Sequence, residues 1–248
     1  MRRNPQLLQR RLNKTNEVSS VRYNIVALDF DGVLVKQVSA WWTLHKAFGT
    51  YEESKSNLSA YEKGEIAYSE FMKRDISLWG KRTLTEVKDV LLEYDLSPQA
   101  KNFIDELKKD CRKVVVVSAG IDLLVGDAAK KLDIKHFLAN GLETDRNGYL
   151  SGRGIFRVDL IRKDLALKEL IEREGGKLSE VAAVGDSRYD FEFLQATGLA
   201  IGFGDRSNSK ELDKVADAWA EKLMEIPEII KRFERNLIFF KTSERRPD

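Results

Sequence analysis

Two carboxylates, Asp29 and Asp31, flank Phe30 at the end of the apolar run Ile25-Val26-Ala27-Leu28 and directly ahead of Gly32. In extended backbone alternate side chains share a face, so the pair projects together into a glycine turn. That is the outline of a site for a cation and a phosphoryl group. A lone acid at a strand end is more often solvated or caps the next helix, and Asp-x-Asp by itself leaves the two readings level. Further residues tip the balance: Ser118 closes the apolar run Val114–Val117, Lys163 opens a basic helix start, and Asp186 follows Val181–Gly185.

The chemistry open to such a set is specific. A carboxylate at Asp29 can attack phosphorus and hold the phosphoryl group as an acyl phosphate, dividing one hard step into two easier ones. Asp31, in the turn, can protonate the departing alkoxide and then deprotonate the attacking water. Gathered anions repel, and an all-carboxylate set without His or Cys suits Mg2+ far better than Zn2+. Asp29 and Asp186 are the expected ligands, with Asp190 bracing the metal from behind, although either of the last two acids could instead be a helix N-cap. The Ser118 hydroxyl and the backbone N–H groups beside it, that of Ala119 included, are placed to meet phosphoryl oxygens at a helix start. Lys163 adds compensating positive charge. Taken singly, Ser118 is a common cap and Lys163 an ordinary surface cation.

These residues need a scaffold that brings distant strand ends together. Segments 24–29, 113–118, 181–185 and 199–203 are short and rich in Val, Ile and Ala, as strands buried on both faces are. Helical patterns lie between them, at 98–110 with Phe103, Ile104 and Leu107 on one face, and at 164–174 ahead of Gly175-Gly176. Alternation of this kind predicts an α/β fold with a parallel, doubly wound sheet, whose reacting groups gather at the carboxyl edge. Residues 38 to about 95 break the rhythm: they are helical in pattern, rich in aromatics and without a strand candidate, and predict a small inserted α-helical cap. Trp41, Leu44, His45 and Phe48 share one face there, which makes His45 a packed residue more readily than a ligand. Asp145-Arg146-Asn147-Gly148 predicts a hairpin within 142–152, and Ile229, Ile230, Phe233, Leu237 and Phe240 predict an amphipathic helix over 226–240 that packs on the core.

Composition narrows the class. A chain of 248 residues with 42% hydrophobic residues fits one large domain or a core with an insert. The single cysteine, Cys111, excludes an intramolecular disulfide and a cysteine metal cluster, and favours a reducing cytoplasm. No apolar run is long enough to span a membrane or to serve as a signal core, so no membrane partner is expected. The net charge of +2 is too small to imply a polyanionic partner. Residues 1–22 carry six Lys or Arg against one acid, the one stretch suited to weak contact with RNA or a membrane, yet it lacks interleaved aromatics for base stacking. No nucleic-acid partner is expected beyond that, and no oligomeric state is assigned.

The four segments together resemble the haloacid dehalogenase superfamily, whose motifs match Asp29-Phe30-Asp31-Gly32-Val33-Leu34, Ser118, Lys163, and Gly185-Asp186 with Asp190. The likeness covers roughly residues 23–218 and is greatest to the phosphoserine phosphatase-like branch, which carries a small helical cap after the first motif. It implies a Rossmann-like core, with Asp29 as nucleophile, Asp31 as acid and base, and Mg2+ held by Asp29, the Asp31 carbonyl and Asp186. The implied layout is a basic extension over 1–22, a core over 23–37 and 96–218, a cap over 38–95, and a C-terminal helix and tail over 219–248. Phosphoserine phosphatases place an acid nine residues after the nucleophile, where this chain has Val38, and an arginine seven after a cap phenylalanine, where Phe71 is followed by Leu78. Arg74 lies one helical turn earlier. Tyr189 stands where Asn is usual.

The expected activity is therefore Mg2+-dependent hydrolysis of a small phosphorylated metabolite, with phosphoserine not the best substrate. The cap aromatics Trp41, Trp42, Tyr61, Tyr68 and Trp79 suit a larger or less charged leaving group, or simply core packing. Two alternatives stay open: a phosphotransferase or mutase that passes the aspartyl phosphate to a second hydroxyl, and a phospho-accepting receiver or silent binding module. Asp31 and the large insert argue against the receiver.

Overall fold

The computed structural model describes residues 22–36 and 39–243. The basic segment expected at 1–22 therefore lies outside the described residues except for Arg22, as do Val38, the side chains of Leu237 and Phe240, and the end of the C-terminal tail. Seven strands form a sheet in the order β4-β3-β2-β1-β5-β6-β7. They are β1 (Ile25–Leu28), β2 (Lys113–Ile121), β3 (His136–Thr144), β4 (Leu150–Ile155), β5 (Val181–Gly185), β6 (Leu199–Phe203) and β7 (Ala218–Ala220). β1 pairs with β5, β5 with β6 and β6 with β7, all parallel, while β3 and β4 form an antiparallel hairpin. Every residue of β1, β5 and β6 is buried, which is why these strands are apolar throughout and not alternating.

The chain divides into two compact units. The first, made of the described residues 22–28, 98–115 and 167–243, contains β1, β5, β6, β7 and the start of β2. Within it Leu28 is opposite Val184, so the chain leaves β1 and β5 at the same edge of the sheet. Helix α5 (Ala100–Lys109) buries Phe103, Ile104 and Leu107, the stripe its sequence predicts. The helix predicted over 226–240 spans Ile226–Ser243, here α9, and buries Ile226, Ile229 and Ile230 in this unit. Its Glu234 takes both guanidinium nitrogens of Arg112 at 2.8 and 2.9 Å, while the same guanidinium donates to the Tyr23 carbonyl at 2.6 Å.

The second unit, residues 29–36, 39–97 and 116–166, contains the rest of β2, the hairpin, and four of the helices between β1 and β2. These are α1 (Ala40–Ala47), α2 (Tyr51–Glu62), α3 (Tyr68–Leu78) and α4 (Leu84–Leu91). The chain leaves toward them and returns through paired segments: Ser97 N–H donates to Leu34 O at 2.9 Å and Lys36 N–H to Asp95 O at 3.1 Å. α3 lies so close to β4 that a Cβ on Gly154 would sit 2.3 Å from the Met72 methyl carbon. The hairpin turns where Asp145-Arg146-Asn147-Gly148 predicts, with Asp145 accepting from Asn147 and Tyr149 N–H groups and Gly148 at φ 81°. His45 is fully buried among the helices. Trp79 Nε1 donates to its Nδ1 at 3.1 Å and its Nε2 lies 3.2 Å from Asp75 Oδ2. Indole nitrogen only donates, so Nδ1 is its acceptor, and Thr50 Oγ1 lies 2.7 Å from the same nitrogen.

Candidate active site

Asp29 directly follows β1, and Phe30, 1% exposed, turns its ring into the core. That inward residue leaves Asp29 and Asp31 on the opposite face. The Phe30 carbonyl then gathers the N–H groups of Val33, Leu34 and Val35 at 3.3, 2.9 and 3.3 Å, a tight turn made possible by Gly32 at φ 77°. Asp29 Oδ1 pairs with Lys163 Nζ at 2.8 Å, and both side chains are almost wholly buried. A buried pair of this kind costs desolvation on both sides, so its retention points to a task other than stability.

Lys163 begins helix α7 (Lys163–Arg173), where a lysine opposes the helix dipole and adds to the positive field at that end. The loop before it is held by two polar side chains. Asn140 Oδ1 accepts from the N–H groups of Arg157 and Val158 at 2.8 and 2.9 Å. Asp159 Oδ1 accepts from Ile161 and Arg162 N–H groups at 2.9 and 3.0 Å, and from the Tyr61 hydroxyl of α2.

Ser118 is buried and its hydroxyl oxygen accepts from Gly120 N–H at 2.9 Å. It is not at a helix start as its sequence context suggests. β2 continues through Ala119 and Gly120 to Ile121, and the next helix, α6 (Asp122–Lys131), begins only at Asp122. The backbone stays extended because the Ala119 carbonyl is taken by side chains, namely Trp41 Nε1, Tyr68 Oη and Asn140 Nδ2, each at 3.0 Å, instead of entering a helical turn. Burial, with the neighbouring Tyr61, Asp159 and Asp75, pushes the Tyr68 phenol well above its ordinary 10.0, so it stays a donor. A Cβ on Gly120 would lie 2.9 Å from Ser118 Oγ and 3.2 Å from Asp31 Oδ2. Asp29, Asp31, Ser118, Ala119 and Lys163 thus belong to one unit, where Asp29 meets Lys163 and Gly120 bridges Ser118 and Asp31.

Asp186 and Asp190 belong to the other unit, in the turn between β5 and helix α8 (Phe191–Gln195). Asp190 Oδ2 accepts from the N–H groups of Asp186 and Ser187 at 3.1 and 3.0 Å and from the Ser187 hydroxyl at 3.1 Å. It is fully buried and shapes the turn, while the Ser209 hydroxyl secures the Asp186 carbonyl. A Cβ on Gly185 would lie 2.5 Å from Asp190 Cβ, which accounts for the glycine. Tyr189 lies under Arg188, whose guanidinium carbon is 4.8 Å from the ring centroid. Arg74 is bound by Glu70 at 3.0 Å on the outer face of α3, and Trp42 packs edge-on against Tyr51.

The oxygen-only donor set fits a hard divalent cation. His45 is committed to Trp79 and Asp75, and Cys111 is exposed at the end of α5, so neither softens that set. Gly120, Asn140 and Asp159 were not among the residues the sequence singles out for the site. A glycine inside an apolar strand does signal close approach, but no local pattern marks Asn140 or Asp159.

Comparison with known proteins adds independent evidence. The family profile described as haloacid dehalogenase-like hydrolase matches residues 26–195. The chain is 28% identical over 200 residues to a phosphoserine phosphatase of Archaeoglobus fulgidus, a match covering 80% of this chain but only 56% of that protein. It is 30% identical over 182 residues to the phosphoserine phosphatase of Lactococcus lactis, covering 72% of this chain and 82% of that one. Among solved structures, one described as a phospho-aspartyl intermediate analogue of phosphoserine phosphatase superposes with a TM-score of 0.71 at 26% identity, covering 84% of this chain and 99% of its own. No helix among the described residues is long and apolar enough to cross a membrane.

Proposed function

The chain belongs to the haloacid dehalogenase-like hydrolases, and from that premise we propose that it hydrolyses a small phosphomonoester through an aspartyl phosphate on Asp29. The observation that carries the reading is the buried Asp29–Lys163 pair at 2.8 Å, in the same unit as the Ser118–Gly120–Asp31 cradle. A carboxylate this deeply buried is sheltered from bulk water, and the lysine beside it attracts the phosphoryl oxygens toward the nucleophile. The Ser118 hydroxyl, whose oxygen accepts from Gly120 N–H, donates its own proton to those oxygens. Asp31 gives its proton to the leaving alkoxide and then takes one from the water that attacks the acyl phosphate, so the enzyme returns to its starting state.

Mg2+, held by Asp29, the Asp31 carbonyl and Asp186, would offset the charge of the phosphoryl group and the gathered carboxylates. The common exit edge of β1 and β5 favours that ligand set, since Asp29 and Asp186 follow closely on Leu28 and Val184. Asp190 serves by shaping the Asp186 turn. We assign the segment 38–95 as a cap over the site, and the core to 23–37 and 96–218.

Relatives that act on phosphoserine make it the reference substrate, but two features favour another ester. Val38 cannot bind an amino group, and Arg74 is engaged by Glu70 away from the buried face of α3. A panel with Mg2+ comparing phosphoserine with sugar and nucleotide monophosphates tests this: we expect a better substrate than phosphoserine, and phosphoserine ranking first would overturn the assignment. Asp29→Asn should abolish turnover and the acid-stable phosphoryl label on the protein, because an amide is a poor nucleophile. Turnover near the parent level in that variant would sink the mechanism. Free phosphate released without dependence on an acceptor alcohol separates hydrolysis from phosphotransfer.

A further inference from the structure

A peptide carbonyl has two lone pairs, yet the Ala119 oxygen receives three donors. Trp41 Nε1, Tyr68 Oη and Asn140 Nδ2 each lie 3.0 Å from it, and all three residues are buried. Asn140 cannot turn its amide round, because its Oδ1 already accepts from Arg157 and Val158 N–H groups and its Nδ2 also donates to Val158 O at 2.8 Å. Among the described residues no peptide is cis, so the Ala119 C=O and the Gly120 N–H point in opposite directions. The clamp on the oxygen therefore fixes where the hydrogen points. It points toward Ser118 Oγ, 2.9 Å from the Gly120 nitrogen, on the side where a Gly120 Cβ would approach Asp31 Oδ2.

We propose that Trp41, Tyr68 and Asn140 are positioning residues for phosphoryl transfer, holding the Ala119–Gly120 peptide so that the Gly120 N–H donates to Ser118 Oγ and the serine's own proton turns to the phosphoryl group beside Asp31. The inference rests on the phosphatase reading and deepens it. Two of the three donors belong to the inserted helices, Trp41 on α1 and Tyr68 on α3, whereas Asn140 is on β3. The Ser118 hydroxyl is thus held in this pose only while α1 and α3 are docked on this strand. Withdrawal of those helices leaves one restraint of three, and the peptide gains freedom to rotate its N–H out of line. Docking of the insert and readiness of the phosphoryl site become one event, an induced-fit arrangement that keeps an open site from hydrolysing its intermediate prematurely.

Tyr68→Phe and Trp41→Phe remove one donor each while keeping an aromatic ring. With the best phosphomonoester of the panel, each should lower kcat about tenfold with KM changed by less than about twofold, as loss of one aligned hydrogen bond predicts. In parallel, inorganic phosphate added to 15N-labelled protein should shift the Gly120 amide resonance in the parent, and shift it less in either variant. Thermal melting checks that both variants are folded. Parent-like kcat in both folded variants of an active parent, or a Gly120 amide indifferent to inorganic phosphate, overturns the clamp and leaves the phosphatase reading standing. A parent that hydrolyses no phosphomonoester overturns that reading instead, and the catalytic role of the clamp with it.

Discussion

Lys163 carries two burdens, neutralising Asp29 in a buried setting and presenting charge at the start of α7. Lys163→Ala should therefore lower kcat by on the order of 10² to 10³, measured by steady-state kinetics on protein shown to be folded. Tyr68 makes a different prediction, about pH. Its phenol is held protonated above the ordinary 10.0 chiefly by burial, so between that value and its raised folded value the unfolded chain binds fewer protons than the native one. Stability from this group is complete below pH 10 and is lost as pH rises toward the folded value. Urea unfolding between pH 9 and 11 should show a fall in stability that Tyr68→Phe makes shallower; an unchanged slope in the variant would mean that burial of this phenol is not what the alkaline limb reports. Asp29, Asp31, Ser118, Lys163 and Asp186 stand out in the sequence because each ends an apolar run or opens a helix. The Ala119 clamp does not, since Trp41 and Tyr68 reach it across 78 and 51 residues and no local period relates such distant positions.

Among the elements, close approach is set by glycines whose replacement should have unequal effects. A Cβ at Gly154 would meet the end of the flexible Met72 side chain at 2.3 Å, which can move aside, whereas one at Gly198 would meet the Ser179 backbone carbonyl oxygen at 2.0 Å, which cannot. Gly198→Ala should cost about 1–3 kcal/mol or more and Gly154→Ala clearly less, compared by denaturant melts. Helix α9 is tied down by the buried Arg112, and Glu234→Ala should cost roughly 3–5 kcal/mol because it strips a buried guanidinium of its carboxylate. The apolar spacing of Ile229 and Ile230 makes the helix legible in sequence. Its anchor is not, because Arg112 and Glu234 lie 122 residues apart. Similarly β1, β5 and β6 are readable as continuous apolar runs, while β2 outlasts its apolar stretch because side chains, and not a helix, satisfy the Ala119 carbonyl.

At the scale of the whole molecule, the parallel arrangement and the helical insert follow from the alternation of apolar strands and amphipathic helices and from its interruption after β1. What alternation cannot encode is which distant side chains satisfy a given carbonyl or charge, and the proposed phosphoryl site depends on such pairings. If the all-oxygen ligand set is right, chelation should silence turnover, Mg2+ should restore it, and Mg2+ with inorganic phosphate should raise the melting temperature in proportion to the logarithm of ligand concentration; activity unaffected by chelator would exclude a metal requirement. The indoles of Trp41 and Trp79 lie 5.5 Å apart at a 31° tilt, near enough for their electronic transitions to couple. That coupling gives the protein a native optical signature, an exciton band in circular dichroism. It needs no attached dye and would fade in real time if α1 parted from the end of α3 during turnover.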